Sequence, residues 1–270
     1  MHNILRILCQ NFKSIGTKLT KLRVFLYMSV KNGVRYRNYI GDGDSKAYSG
    51  LVNSKPYGDD FSIVKKECVG HVQKRTDTRL REIVKNTVVD IETTAAKKIK
   101  RKSLSGKGKL TAKMTDKLTV YYGLAIRRYS DSMENMKNAI WATFFHYSST
   151  GENPQHKKCP SGADSWCEWQ KAAADNALDS FKYTYSALPE DVLNAIKPIY
   201  EDLSKDALLE RCVGGFTQNN NESLNQLIWK ISPKHLNGAS VIVENADYVA
   251  ASVFNESSFA LLTFMQDMDQ

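Results

Sequence analysis

The sequence predicts an α/β fold in which a few short strands lie early and a long run of helices follows. Three observations predict it. Residues 34–40, Val-Arg-Tyr-Arg-Asn-Tyr-Ile, largely alternate apolar or aromatic with basic side chains, the two-residue period of a strand. Beyond residue 116 the apolar residues recur at helical spacing instead. Apolar residues make up 42% of the 270 and charged residues 25%, a balance that lets a chain this long bury a core without disulfide staples. No apolar run approaches the roughly 18–20 residues of a membrane span.

The first 26 residues mix Ile, Leu, Val and Phe with Arg6, Lys13, Lys18, Lys21 and Arg23 and hold no acid. They read as an unmatched leader that supplies no strand, or alternatively as an amphipathic targeting segment. The strand at 34–40 runs into Gly41-Asp42-Gly43-Asp44-Ser45, so its turn presents carboxylates at the strand's C-terminal end. Residues 45–60 read as loop and 61–66 as a second strand. Cys68 to Lys85 turns helical, marked by Val72, Leu80 and Ile83-Val84. Residues 97–113 are a basic linker or exposed loop. Helices are expected at 116–129 and at 131–147, the latter capped by Ser130. Its stripe of Met133, Met136, Ile140 and Phe144 is expected to be core. A polar loop over 148–164 precedes a helix at 166–183. Pro189 and Pro198 each suit a first helical turn, giving helices at 189–196 and 198–211. Gly214-Gly215 ends that block. Asn221 caps a helix from Glu222 to Lys230, and two more helices fit 238–252 and 256–268. No internal repeat is present.

The net charge of +9 is unevenly spread. Residues 1–41 carry +8, residues 42–117 carry +8 and residues 118–270 carry −7. Such a division points to a polyanionic partner for one face only. The run Lys97, Lys98, Lys100, Arg101 and Lys102 suits phosphate contacts or a nuclear-import signal, and a solvated loop is the plain alternative. Five cysteines, an odd number, argue against a dense disulfide framework and for intracellular metal chemistry.

Three constellations could carry chemistry. Asp42-x-Asp44 at a strand end suits a hard cation such as Mg²⁺, although Asp-Gly-Asp is also ordinary turn chemistry. Cys68-x2-His71 places a sulfur and an imidazole on one helical face, half of a zinc site. His156-x2-Cys159-x7-Cys167, with His146 ten residues upstream, offers the other half. Two ligand sets are then open: Cys68, His71, Cys159 and Cys167, or His146, His156, Cys159 and Cys167. Asn219-Asn220-Asn221-Glu222-Ser223-x-Asn225 opens a helix, where Glu222 could complete a metal site with Asp42 or simply complement the helix dipole.

The order of these pieces is distinctive. Tyr-Ile-Gly-Asp-Gly-Asp-Ser-Lys (39–46) is followed by Lys-Lys-Glu-Cys-Val-Gly-His-Val-Gln-Lys-Arg (65–75). Then come His-x2-Cys-Pro to Trp-Cys (156–167) and Asn-Asn-Glu-Ser-Leu-Asn (220–225). Together they resemble the Mutator-like transposase domain of animal transposable elements over residues 27–266. The chain is more distantly similar to plant far-red response regulators derived from such transposases. The resemblance implies an incomplete RNase H-like mixed sheet interrupted by a large, mostly helical insertion. It implies four segments: a leader at 1–26, a core segment at 27–95, the basic loop and insertion at 96–212, and a C-terminal core part at 213–270.

It also implies an Asp-Asp-Glu triad in which Asp42 matches the second Asp and Glu222 the Glu, with Asp44 and Asn225 as secondary candidates. Cys68 and His71 match a Cys-x2-His motif that takes part in zinc binding in related transposases. The cofactors implied are Mg²⁺ or Mn²⁺ for catalysis and a structural zinc. The implied chemistry is two-metal phosphoryl transfer on DNA. Lys65, Lys66, Lys74 and Arg75, with the 97–102 run, would contact DNA phosphates. No acidic residue precedes Asp42, so the first Asp of the triad is lacking. The resemblance therefore implies an N-terminally truncated domain with impaired cleavage. A non-catalytic, zinc-stabilised DNA-binding or structural module is the alternative. The expected location is the nucleus. The expected partner is DNA, with self-association open and neither a membrane nor a small-molecule substrate expected.

Overall fold

Helices dominate the fold, as the apolar spacing beyond residue 69 requires. The structure is a computed structural model, and it describes residues 4–6, 26, 29–31, 33–41, 45–87, 89–92, 99–233 and 240–268. In chain order the elements are β1 (Ile4–Arg6), β2 (Asn38–Ile40), α1 (Ser45–Asn53), β3 (Val64–Lys66), α2 (Val69–Asn86), β4 (Val89–Glu92) and β5 (Ile99–Lys102). They continue with α3 (Ala112–Arg128), α4 (Met133–Ser148), α5 (Glu168–Ala174), a 3₁₀ turn (Leu178–Ser180), α6 (Glu190–Leu203) and α7 (Asp206–Cys212). The last three are α8 (Asn219–Ile231), α9 (Ser240–Glu256) and α10 (Phe259–Met268). The chain divides into two units, one of residues 1–65 with 217–270 and one of residues 66–216.

In the first unit β2 is the middle strand of a sheet ordered β1-β2-β3. β1 and β2 are parallel, with Ile4 opposite Asn38, Leu5 opposite Tyr39 and Arg6 opposite Ile40. The leader thus contributes a strand, against expectation, because strand pairing runs through the backbone and tolerates the charges scattered along it. Both expected strands are shorter than their side-chain patterns suggest. The Tyr36 amide donates to the Tyr57 hydroxyl at 3.0 Å, which takes it out of any ladder. The Tyr48 hydroxyl donates to the Ile63 carbonyl at 3.0 Å, which does the same at the start of β3. Tyr39, Leu51, Tyr57 and Ile63 form the local core with Leu26. Where a loop was expected at 45–60, Ala47 and Leu51 are buried one turn apart and seat α1. Gly41 is required for a steric reason, since a Cβ there would lie 2.4 Å from the Tyr39 ring.

In the same unit Leu224 and Ile228 of α8 pack on Ala246 and Ala250 of α9. α8 begins at Asn219 with Gln218 at its N-cap position, so Asn221 lies inside the first turn and does not cap it. The Gln218 side-chain amide instead donates to the Ile40 carbonyl at 2.8 Å in a buried hydrogen bond.

The second unit holds the largest core. α2 buries Val69, Val72, Thr76 and Leu80, a single stripe. Leu118, Tyr122 and Ile126 of α3 join Met136, Ile140 and Phe144 of α4, so the methionine-aromatic stripe is core as expected. Val192, Ile196, Ile199 and Leu203 of α6 complete it with Leu209 of α7. Several boundaries differ from expectation. The basic linker contains β5, which pairs antiparallel with β4, Asp90 standing opposite Arg101. α4 is capped by Ser132, whose hydroxyl accepts from the Asn135 amide, and not by Ser130. α5 stops at Ala174, and Asn176 takes a left-handed φ of 53°. Pro198 does not start a helix but lies inside α6. Asn194 and Pro198 are both exposed, so water can meet the Asn194 carbonyl that Pro198 leaves without an amide. No described helix is long and apolar enough to cross a membrane.

The Tyr122 hydroxyl donates to the Leu203 carbonyl at 2.8 Å inside this core, tying α3 to the end of α6. Tyr122→Phe leaves that carbonyl buried and unsatisfied. It should lower stability by about 1–3 kcal/mol, read as a lower midpoint with unchanged slope in urea unfolding.

Candidate metal centre

α4 presents two faces. Met136, Ile140 and Phe144 enter the core, while Ala142 and His146, one turn apart, face the loop that follows. That loop carries His156 and Cys159, and Cys167 sits at the N-cap position of α5. The side chains of His146, His156, Cys159 and Cys167 converge, with one ligand atom from each lying within 4.8 Å of the others. All four are buried, the most exposed being His146 at 6%. His156 Nδ1 lies 3.4 Å from Cys167 Sγ and 3.9 Å from Cys159 Sγ, and His146 Nδ1 lies 3.9 Å from Cys159 Sγ. A tetrahedral zinc with ordinary Zn–S and Zn–N bonds would separate its ligand atoms by about 3.3–3.8 Å. The quartet is therefore close to zinc-ligating dimensions, and two thiols with two imidazoles are a donor set that zinc favours.

The surroundings orient these donors. His156 Nε2 lies 3.1 Å from the Tyr183 hydroxyl, which leaves Nδ1 turned to the sulfurs. The His156 ring stacks on Trp169 at 5.1 Å and the His146 ring on Tyr185 at 4.6 Å. The Tyr185 hydroxyl donates to the His146 carbonyl at 2.8 Å, and Gln170 Nε2 donates to the His156 carbonyl at 2.8 Å. The Cys167 thiol is held below its ordinary pKa by the hydrogen bond from Cys159, then by those from His146 and His156 and from the Gln170 amide. Cys159 is pushed up, first as the donor in that pair and then by burial.

The two sets that the spacing allowed are now distinguishable by position. His146, His156, Cys159 and Cys167 come together, whereas Cys68 and His71 belong to no group of three potential ligands among the described residues. Cys68 is buried at the N-cap position of α2, and His71 lies in that helix's first turn. Asp42 and Asp44 lie outside the described residues, as do Lys97 and Lys98. Glu222 is half-buried in the first turn of α8, and Asn225 is buried one turn further on. Lys65 stands over the Tyr48 ring at 5.9 Å, and Lys66 over the Phe216 ring at 6.0 Å. Lys74 is exposed. Arg75 is paired with Glu67, which also accepts from Arg211 at 3.2 Å. Lys100, Arg101 and Lys102 lie on β5. Sequence reasoning missed the supporting Tyr183, Tyr185, Trp169 and Gln170, because nothing in their spacing ties them to the ligands.

Titrated with Co²⁺, the purified chain should take up about one ion per chain and develop the absorption of thiolate-bound cobalt. Cys159→Ser and Cys167→Ser should each abolish that signal, while Cys68→Ser should leave it intact.

No curated protein and no solved structure matches the chain. Residues 14–167 match the family model described as Mutator-like transposase, a stretch that contains the Gly-Asp-Gly-Asp turn, Cys68, His71 and all four centre residues. Covering more than half of the 270 residues, this match shows that the chain belongs to the Mutator-like transposase family.

Proposed function

We propose that the chain is a transposase-derived DNA-binding protein of the Asp-Asp-Glu type, stabilised by a structural zinc. The single observation that carries this reading is the family match, which spans both the acidic turn and the Cys/His centre. In this reading Asp42 and Glu222 belong to a site for two-metal phosphoryl transfer, with Mg²⁺ or Mn²⁺ activating the attacking oxygen and stabilising the leaving one. The Gln218–Ile40 hydrogen bond supports their pairing. Asp42 follows Ile40 by two residues, and Glu222 follows Gln218 by one helical turn. Asp44 and Asn225 are their neighbours in the proposed site. The RNase H-like core is part of the same proposal, supported by the parallel pairing of β1 with β2.

Asp42 and Glu222 are two of the three carboxylates that this reading calls for. DNA binding with impaired cleavage is the activity proposed for these residues. Lys65, Lys66, Lys74 and the Lys97–Lys102 run supply the phosphate contacts, and the same run serves nuclear import. Arg75 takes a structural part through Glu67.

Duplex DNA should bind with an affinity that falls steeply with salt. Replacing Lys97, Lys98, Lys100, Arg101 and Lys102 by Ala should flatten the log–log salt slope by about one unit for each phosphate no longer neutralised. Salt-insensitive or absent binding would refute the DNA reading. In Mg²⁺ or Mn²⁺, any nicking should be weak and should vanish in Asp42→Asn and in Glu222→Gln. Cleavage that survives both substitutions would refute the carboxylate assignment. Binding without any cleavage would favour the non-catalytic, zinc-stabilised module.

A further inference from the structure

A cleft of about 170 Å³ in the second unit lies between α3, α4 and the loop bearing the centre's cysteines. A cavity of ~150 Å³ holds one benzene ring, and drug-sized sites begin near ~300 Å³, so this cleft suits a single ring system. Tyr121 and Trp166 form an aromatic wall, their ring centroids 5.1 Å apart with a 33° tilt. Arg128 and Lys158 stand at the cleft, both exposed, and no carboxylate lines it. Asn135 and Asn138 add amide donors and acceptors, and Lys158 Nζ donates to Asn138 Oδ1 at 2.6 Å. Arg128 makes no ion pair with a described residue. Ala125 and Ala142 keep the floor shallow.

We propose that this cleft binds one unpaired nucleotide of a DNA strand, its base against Tyr121 and Trp166 and its phosphate at Arg128 and Lys158. An aromatic wall stacks any base, because every base has a π-face. Two cations without a carboxylate select an anion. A base inside a duplex cannot reach such a cleft and must leave the stack to enter it. The Cys/His cluster adjoins the cleft: Lys158 precedes Cys159, Trp166 precedes Cys167, and the His146 ring lies 4.8 Å from the Trp166 ring. The proposal rests on the DNA-binding reading above.

The test uses the full metal-loaded chain and a duplex with one bulged 2-aminopurine. Binding should quench the 2-aminopurine, and the bulged duplex should bind roughly tenfold tighter than the fully paired one. Trp166→Ala should remove the quench and the preference. Because Trp166 adjoins a ligand, Arg128→Ala at the exposed end of α3 is the second variant. It should keep the metal content and weaken bulge binding about fivefold. Equal binding of bulged and paired duplexes, or a preference that survives both substitutions, overturns the cleft while the DNA reading stands. Failure to bind either duplex overturns the DNA reading and the cleft with it. Free 2-aminopurine deoxyribonucleoside monophosphate binding as tightly as the bulged duplex overturns the strand assignment in favour of a mononucleotide site.

Discussion

Two thiols and two imidazoles, each less than a tenth exposed, bring four potential metal donors together in one buried cluster. The cysteine pair is itself uneven, with Cys167 held below the ordinary thiol pKa by the hydrogen bond from Cys159 and Cys159 pushed up as its donor. The four donors are close enough together for one divalent cation to take them all. The cluster joins α4 to the loop that follows it. Residues 149–167 make only isolated turns, such as Cys159 N to His156 O and Ser165 N to Gly162 O. Their apolar support is small, consisting of Ala142, Trp166 and Trp169 around the cysteines. Side-chain bonds hold the stretch beside the cluster, among them Ser165 Oγ to the Pro160 carbonyl and the Gln155 amide to Ser149 Oγ.

α4 positions one of the four donors. Its core face is formed by Met136, Ile140 and Phe144, and His146 lies on its other face. The Tyr185 hydroxyl on the His146 carbonyl and the aromatic rings around both imidazoles complete the frame. A second polar constraint acts on the same unit. Glu67 is buried and meets the guanidinium groups of Arg75 and Arg211, which is the condition for keeping a carboxylate in such a place. Arg75 is thereby committed to the protein, and the basic motif around it is less available to a polyanion than its composition suggests.

What was legible in the sequence follows from how local each signal is. α2 and α4 could be read closely, because Val72 and Leu80, or Met136, Ile140 and Phe144, repeat on one face. β1 could not, since its reason to exist is a parallel partner more than thirty residues away. Nor could β5, whose Ile-Lys-Arg-Lys pattern reads as solvated until β4 is set beside it. Pro198 misled because an exposed proline can be absorbed in a helix whose other face is held by Val192, Ile196 and Ile199. The metal donors were all visible as residue types. Choosing among them needed tertiary distances, because spacing alone fits Cys68 and His71 as well as His146 and His156. The aromatic and amide support was illegible, as Tyr, Trp and Gln carry no ligand signature.

The acidic positions raise the same point at longer range. Ile40 and Gln218 are 178 residues apart in sequence yet share a buried hydrogen bond. Residues 66–216 form a compact unit in that interval, and the chain resumes the first unit at Thr217. A carboxylate after β2 and another in the first turn of α8 can serve one metal site only if the intervening chain leaves and returns. A compact insertion with its own hydrophobic core and its own Cys/His cluster meets that requirement.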